Sequence, residues 1–258
     1  MISLYTTIFN LDNFSFSIEE ALANWFCYVD EVVITTLNKQ EDELKRNILS
    51  GRFHENTKVF SMDIDPEKDI YWDGILKNNS LQNCSNEVVI QLDFDERISG
   101  NKTQLVELIE EVDRHDFPCC IMIPTVDLYE DLDSYVNIGY KWYLHKKQGS
   151  FRGSVGFAIK NNGSFDPEKS DTCELIDKNS NLIPCIGKLP MTQNGIKIIH
   201  LGYLDLEAKN KINKNFWGEI WDFRKTGVKK ENFVCEKIES GDPRKKPHKL
   251  TQPLWPTV

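Results

Sequence analysis

Residues 88–97 read Val-Val-Ile-Gln-Leu-Asp-Phe-Asp-Glu-Arg, an apolar run that stops at Asp93, Asp95 and Glu96. In an extended chain, carboxylates two residues apart point to one face. Held that close they repel, unless positive charge lies between them. A hard divalent cation with oxygen ligands meets that need, and a nucleotide diphosphate completes such a shell. The expected chemistry is therefore Mn²⁺ or Mg²⁺ on Asp93 and Asp95. A third candidate ligand is His200, which ends the apolar run Ile196, Ile198 and Ile199. A neutral imidazole suits Mn²⁺ better than Mg²⁺, and Gly202 beside it leaves room for close approach. The competing readings are an acidic polar turn and a hydrogen-bonded core histidine.

Such residues need strands to carry them. Ile2 to Phe9, Glu31 to Thr36, Thr57 to Ile64 and Val88 to Leu92 read as strands, because β-branched runs suit a packed pleated surface. Helices alternate with them. Ser17 and Glu20 have capping-box spacing ahead of Ile18, Ala21, Leu22, Trp25 and Phe26. Residues 42–49 and 70–82 follow as helices. A further helix begins at Thr103, with Leu105, Val106, Leu108, Ile109 and Val112 facing inward. Cys119 to Val126 is a strand interrupted at Pro124. This alternation predicts an α/β fold over residues 1–126, with a mostly parallel sheet, helices on its faces, and strand one beside strand four. Ligands in such sheets bind beyond the carboxyl ends of the strands. Thr6, Thr7 and Asn10 lie at one such end, and Thr35, Thr36 and Asn38 at another. They are candidates to hydrogen-bond a base or ribose, with ordinary loop capping as the alternative.

Residues 127–240 are less regular and read as the second half of the same domain. Short strands and turns are expected over 139–165, loops over 166–195, and a short strand over 196–200. Tyr140, Trp142 and Tyr143 could stack on a sugar or fill the core. Residues 241–258, with Arg244, Lys245, Lys246, Lys249 and four prolines, form a basic tail, either a docking arm or a disordered end.

The chain has 258 residues, 40% hydrophobic and 28% charged, enough for a sizeable core. A net charge of −9 argues against general nucleic-acid binding. No apolar stretch reaches the ~20 residues of a spanning helix, which leaves peripheral membrane contact open. The first residues read as a strand rather than a signal peptide. Seven cysteines without a Cys-x-x-Cys pair point to a reducing, cytoplasmic setting rather than a disulfide framework or zinc ribbon. Oligomeric state is not legible.

Asp30-Glu31 leading into a strand, Asp93-Phe94-Asp95-Glu96 after strand four, and His200-Leu201-Gly202-Tyr203 late in the chain together resemble the family 2 glycosyltransferases with the GT-A fold. The resemblance covers roughly residues 1–225. It departs after strand two, where Thr35-Thr36-Leu37-Asn38 stands in place of the family's Asp-Gly-Ser-x-Asp segment, and no Glu-Asp pair marks a catalytic base. The resemblance implies a Rossmann-like sheet with an irregular acceptor half. It also implies inverting transfer of a sugar from a nucleotide diphosphate donor to an acceptor hydroxyl on a glycan or glycoconjugate. The cation on Asp95, helped by Asp93 and His200, would stabilise the departing diphosphate. Lys209, Lys211 and Lys214 would add charge beside the phosphates, or form a solvated helix face. Inverting transfer needs a carboxylate base. Among Asp166, Asp171, Glu174 and Asp177, the candidates are Glu174 and Asp171. Two other functions compete. One is a haloacid-dehalogenase-type phosphohydrolase, which also uses Asp-x-Asp but wants Thr or Val where Arg97 stands. The other is an inactive nucleotide-sugar or glycan-binding protein.

Overall fold

The computed structural model describes residues 1–8, 17–37, 42, 44–45, 54–65, 72–148, 150–152, 174–177, 179, 181–192, 194–207 and 248–249. Asn10, Asn38, Asp166, Asp171, Lys209, Lys211 and Lys214 lie outside them. Four parallel strands form one side of the sheet: β1 (Ser3–Ile8), β2 (Glu31–Leu37), β3 (Thr57–Met62) and β4 (Val88–Gln91), ordered β3-β2-β1-β4. Strand one does lie beside strand four. The fold is mixed α/β and Rossmann-like.

The other side is mixed. It uses β5 (Glu96–Ser99), β6 (Cys120–Tyr129), β7 (Asp131–Lys146), β10 (Cys185–Lys188) and β11 (Lys197–Tyr203). The full order is β3-β2-β1-β4-β7-β6-β11-β5, with β10 also on β6. β8 (Ser150–Arg152) and β9 (Glu174–Ile176) form a separate antiparallel pair. A tail strand, β12 (His248–Lys249), pairs with Tyr135 and Ser134 of β7, so these two tail residues dock on the sheet.

Three α-helices have bounds among the described residues. In α1 (Ile18–Trp25) both arms of the capping box close: Glu20 N–H donates to Ser17 Oγ at 3.1 Å, and Ser17 N–H to Glu20 Oε2 at 3.0 Å. Its face of Ile18, Ala21, Leu22 and Trp25 is buried. α2 (Trp72–Gln82) packs on β1 and β2. α3 (Lys102–Asp113) starts one residue ahead of the expected Thr103, capped by Asn101. Leu105 and Val112 are buried, whereas Val106 is exposed, against the inward placement expected for it. Asp42, Leu44 and Lys45 are helical, and the rest of 42–49 lies outside the described residues.

Three expectations are corrected. Residues 139–165 do not open with short strands, because β7 is one strand of 16 residues. Pro124 does not interrupt β6. β10 pairs with residues 120–122 and β11 begins pairing at Thr125, so Pro124 sits at the gap between them. A missing N–H is tolerated where a strand lacks one neighbour. Finally, β5 was not expected at all. Its outer edge is sealed by α1 instead of a strand: the Asn24 amide donates to the Ile98 carbonyl and accepts from the Ile98 N–H, at 2.9 and 2.8 Å, and the Trp25 indole donates to the Glu96 carbonyl at 3.0 Å.

Candidate functional site

The acidic segment is not extended. Leu92 and Asp93 leave β4, Phe94 and Asp95 form a turn, and Glu96 opens β5. The Glu96 N–H closes the turn on the Asp93 carbonyl at 3.0 Å. The alternation argument for one shared face therefore fails, and the two aspartates meet different neighbours. Asp93 faces cations: Lys77 of α2 at 3.9 Å and Lys141 of β7 at 4.0 Å. Partial burial works against its charge. Lys77, Lys141 and a hydrogen bond from the Gln91 amide outweigh that and hold the Asp93 carboxyl below the ordinary range.

Asp95 faces His200. β11 lies between β5 and β6, and its register sets His200 opposite Glu96 on one side and Asp127 on the other. The His200 ring thus stands between two carboxylates, with Nδ1 2.9 Å from Asp127 Oδ1 and Nε2 3.2 Å from Asp95 Oδ2. A backbone bond from Leu201 N–H to the Asp95 carbonyl, at 2.8 Å, ties strand and turn together. Gly202 is required here: a Cβ would lie 2.6 Å from His200 Nε2 and 2.9 Å from Asp95 Oδ2. Asp127 was missed by sequence reasoning. Its signal was the one that flagged Asp93, an acid directly after an apolar run, although Asp127 lies within β6.

Glu96 anchors the turn from beneath. Its carboxylate has no exposure and accepts from Tyr143 OH at 2.5 Å, Lys141 Nζ at 2.8 Å and the Asp93 N–H at 2.9 Å. Burial disfavours charge on Lys141, but Glu96 and Asp93 together raise its pKa well above the ordinary lysine value. Arg97 is buried against the Trp25 ring, its pKa lowered to about 10 by burial despite the charges of Asp95 and Glu20. Tyr143 is core, as the duller reading had it, while Tyr140 lies under the Lys188 ammonium at 3.6 Å.

Among the described residues, no three His, Cys, Asp or Glu side chains are already gathered as a metal cage. The donor chemistry still fits a cation. With Nδ1–H donating to Asp127, Nε2 presents its lone pair towards Asp95, an arrangement that a proton or a metal ion between them would stabilise. A carboxylate orienting a ligand histidine from its far nitrogen is the usual outer-shell support of a metal site. Asp95 and His200 would hold the ion, with Asp127 setting the ring. Asp93 is engaged by lysines.

The threonines stand elsewhere. Thr6, Thr35 and Thr36 have no exposure and Thr7 only 6%. Thr35 Oγ1 donates to Asn79 at 3.0 Å, and Ser80 Oγ contacts Thr35 Oγ1 and the Thr6 carbonyl at 2.7 and 2.9 Å. Strand and helix close over these groups, so they serve the β1–β2–α2 contact. Asp30 and Glu31 are structural as well: Asp30 accepts from the Ile2 N–H, and Glu31 is bound by Ser3, Ser85 and Lys58. Glu174 pairs with Arg152 in the β8–β9 ladder, and Asp177 accepts backbone bonds from Asn179 and Asn181.

No protein-family model matches the chain, and no curated protein matches it. Solved structures similar to it include residues 1–349 of S. aureus TarS in complex with UDP, at 19% identity and TM-score 0.32 over 50% of this chain and 35% of that one. Another is 4-diphosphocytidyl-2C-methyl-D-erythritol synthase from Anaerococcus prevotii, at 11% identity and TM-score 0.33 over 67% and 66%. A third is the inositol-1-phosphate CTP transferase of T. maritima, at 11% and 0.31 over 56% and 69%. The chain thus spans about a third of the TarS piece. Likenesses this distant carry no argument about chemistry. No helix among the described residues is long and apolar enough to cross a membrane.

Proposed function

We propose that the protein is a glycosyltransferase that moves a sugar from a nucleotide diphosphate donor to a hydroxyl of a glycan or glycoconjugate, with Mn²⁺ or Mg²⁺ at Asp95 and His200. The observation that carries this reading is the Asp95–His200–Asp127 alignment beyond the carboxyl end of β4, for which Gly202 leaves room by lacking a side chain. A bound cation would supply Lewis-acid stabilisation of the charge that gathers on the departing diphosphate. Asp127 fixes the His200 tautomer by accepting from Nδ1. Glu96 holds the turn so that Asp95 stays aimed at His200. Lys141, 49% exposed, and Lys77 bring positive charge to the same turn and suit the phosphate oxygens of a donor. Glu174 and Asp171 stay the candidates for the base of an inverting transfer. The resemblance of the three motifs to family 2 glycosyltransferases supports the sugar-transfer reading over a phosphohydrolase. Arg97 stands where such a phosphohydrolase wants Thr or Val.

The test is a thermal-shift panel of nucleoside diphosphates and their sugars, with and without Mn²⁺. Ligand at ~100 times its Kd adds ~2.7 kcal/mol to the folded state, which such a scan resolves. The expected result is a Mn²⁺-dependent rise in Tm with at least one nucleotide, lost in Asp95→Ala and reduced in His200→Ala while both variants stay folded. Unchanged Mn²⁺-dependent binding in a folded Asp95→Ala protein would remove the assignment.

A further inference from the structure

We propose that Cys120 and Cys185 are a thiol pair that closes to a disulfide when the protein meets a hydroperoxide, tying β10 to β6. The two cysteines are direct register partners in parallel strands, and the Cys120 N–H donates to the neighbouring Pro184 carbonyl at 3.0 Å. Parallel partners point to the same side of the sheet. Neighbouring strands run ~4.8 Å apart, inside the ~4.4–6.8 Å Cα range that a disulfide spans without moving backbone. The Cys185 thiol donates to the Gly187 carbonyl at 3.0 Å and lies close enough to Cys120 to act on its thiol.

Their surroundings set an order of events. Cys185 is exposed, whereas Cys120 is buried beside Val89, Cys84 and Ile183. Burial, and then the like charge of a Cys185 thiolate, push the Cys120 thiol up to about 12. Cys185 is therefore the sulfur that meets the oxidant. Its sulfur attacks the peroxide, the S–O bond forms as the O–O bond breaks, and with a hydroperoxide as oxidant the alcohol or water leaves. The product is a sulfenic acid on Cys185. Cys120 sulfur then attacks that sulfur: the S–S bond forms, the S–O bond breaks, and hydroxide takes the Cys120 proton to depart as water. Two thiols are oxidised by two electrons and one hydroperoxide is reduced. The other buried cysteines, Cys84 and Cys119, donate to the Ser80 and Val112 carbonyls, at 3.5 and 3.9 Å, and neither is a register partner of Cys185. This inference is independent of the proposed sugar transfer.

The experiment uses the whole protein, treated with hydrogen peroxide, alkylated under denaturing conditions, and digested without reductant for mass spectrometry. The expected product is one peptide pair joined through Cys120 and Cys185, with the titratable thiols falling by two from the seven in the sequence, and with recovery on reduction. Cys185→Ser, at an exposed position, should keep the parent Tm and lose the cross-link. Cys120→Ser serves as the second variant, and if it folds it should accumulate the Cys185 sulfenic acid. The proposal is overturned by sulfinic acid on Cys185 with Cys120 still a thiol, by Cys185 joined to any other cysteine, or by seven thiols surviving treatment.

Discussion

Two polar clusters sit at strand ends in this fold, one closed and one open. Thr6, Thr35, Asn79 and Ser80 are neutral and sealed between β1, β2 and α2, each hydroxyl bonded to another neutral group. The turn at 93–96 is charged. Asp93, Asp95, Glu96 and Asp127 gather there with Lys77, Lys141 and Arg97, and Asp93 and Lys141 are nearly half exposed. Both clusters look alike as short polar residues after apolar runs. Sealing separates them: a closed neutral set stabilises the fold, while an open charged set keeps its capacity to take a ligand.

The largest effect that sharpens this contrast comes from Glu96→Ala. The substitution strips the buried acceptor from Tyr143, Lys141 and the Asp93 N–H at once. Leaving such donors unpaired costs ~3 kcal/mol or more, read as a lower denaturant midpoint. Glu96→Gln, which keeps the shape and one acceptor oxygen, should recover part of the stability. If Glu96→Ala were as stable as the parent, the turn would not rest on this carboxylate. Next is Gly202→Ala. Its methyl group must displace His200 Nε2 and Asp95 Oδ2, while Asp127 holds the ring from the far side. Mn²⁺-dependent nucleotide binding should fall about 10-fold or more, equivalent to ~1.4 kcal/mol, with a smaller loss of stability. Full binding in that variant would place the ligand away from His200.

The parallel half was legible because its signals are local. Apolar β-branched runs gave β1, β2 and β4, and Ser17 with Glu20 marked the start of α1. The open side was harder for physical reasons. Glu96 and Arg97 are charged yet buried, so β5 reads as surface, and what buries them is the remote Trp25, Lys141 and Tyr143. His200 was found from its strand, but its partner Asp127 was fixed only by the β6–β11 register. The burial of the threonines was not legible because sequence shows that a strand ends, not what covers the end.

Thr35→Val tests the closed cluster with a smaller effect. It removes a hydroxyl that Asn79 and Ser80 both use, at nearly constant volume. The expected cost is ~1–2 kcal/mol of stability, with Mn²⁺-dependent nucleotide binding unchanged. A binding defect in a stable Thr35→Val protein would return this threonine to the ligand and erase the contrast between the clusters.

The smallest effect near neutral pH is that of protonation at two buried groups on the closed side, and it grows on acidification. His145 is buried, with Nδ1–H donating to the Lys146 carbonyl at 2.8 Å and Nε2 accepting from Tyr5 OH at 2.6 Å, so the fold holds it neutral. Burial lowers its pKa from 6.5 to about 4, outweighing the pull of the Lys146 carbonyl. Below 6.5 the unfolded chain takes up a proton that the folded chain refuses, so stability present above 6.5 is lost as pH falls towards 4. Glu31 adds a second window. Burial works against its charge, but Lys58, Ser3 and Ser85 outweigh this and bring its pKa from 4.5 to about 2. Its contribution is full above 4.5 and is lost as pH falls towards 2. Denaturant midpoints should therefore decline from pH 6.5 downwards, gently at first and more steeply below 4.5. Tyr5→Phe leaves His145 Nε2 without its donor and should alter the upper window alone. A midpoint that stays level between pH 6.5 and 4 would show that His145 takes up its proton in the folded protein as readily as in the unfolded chain.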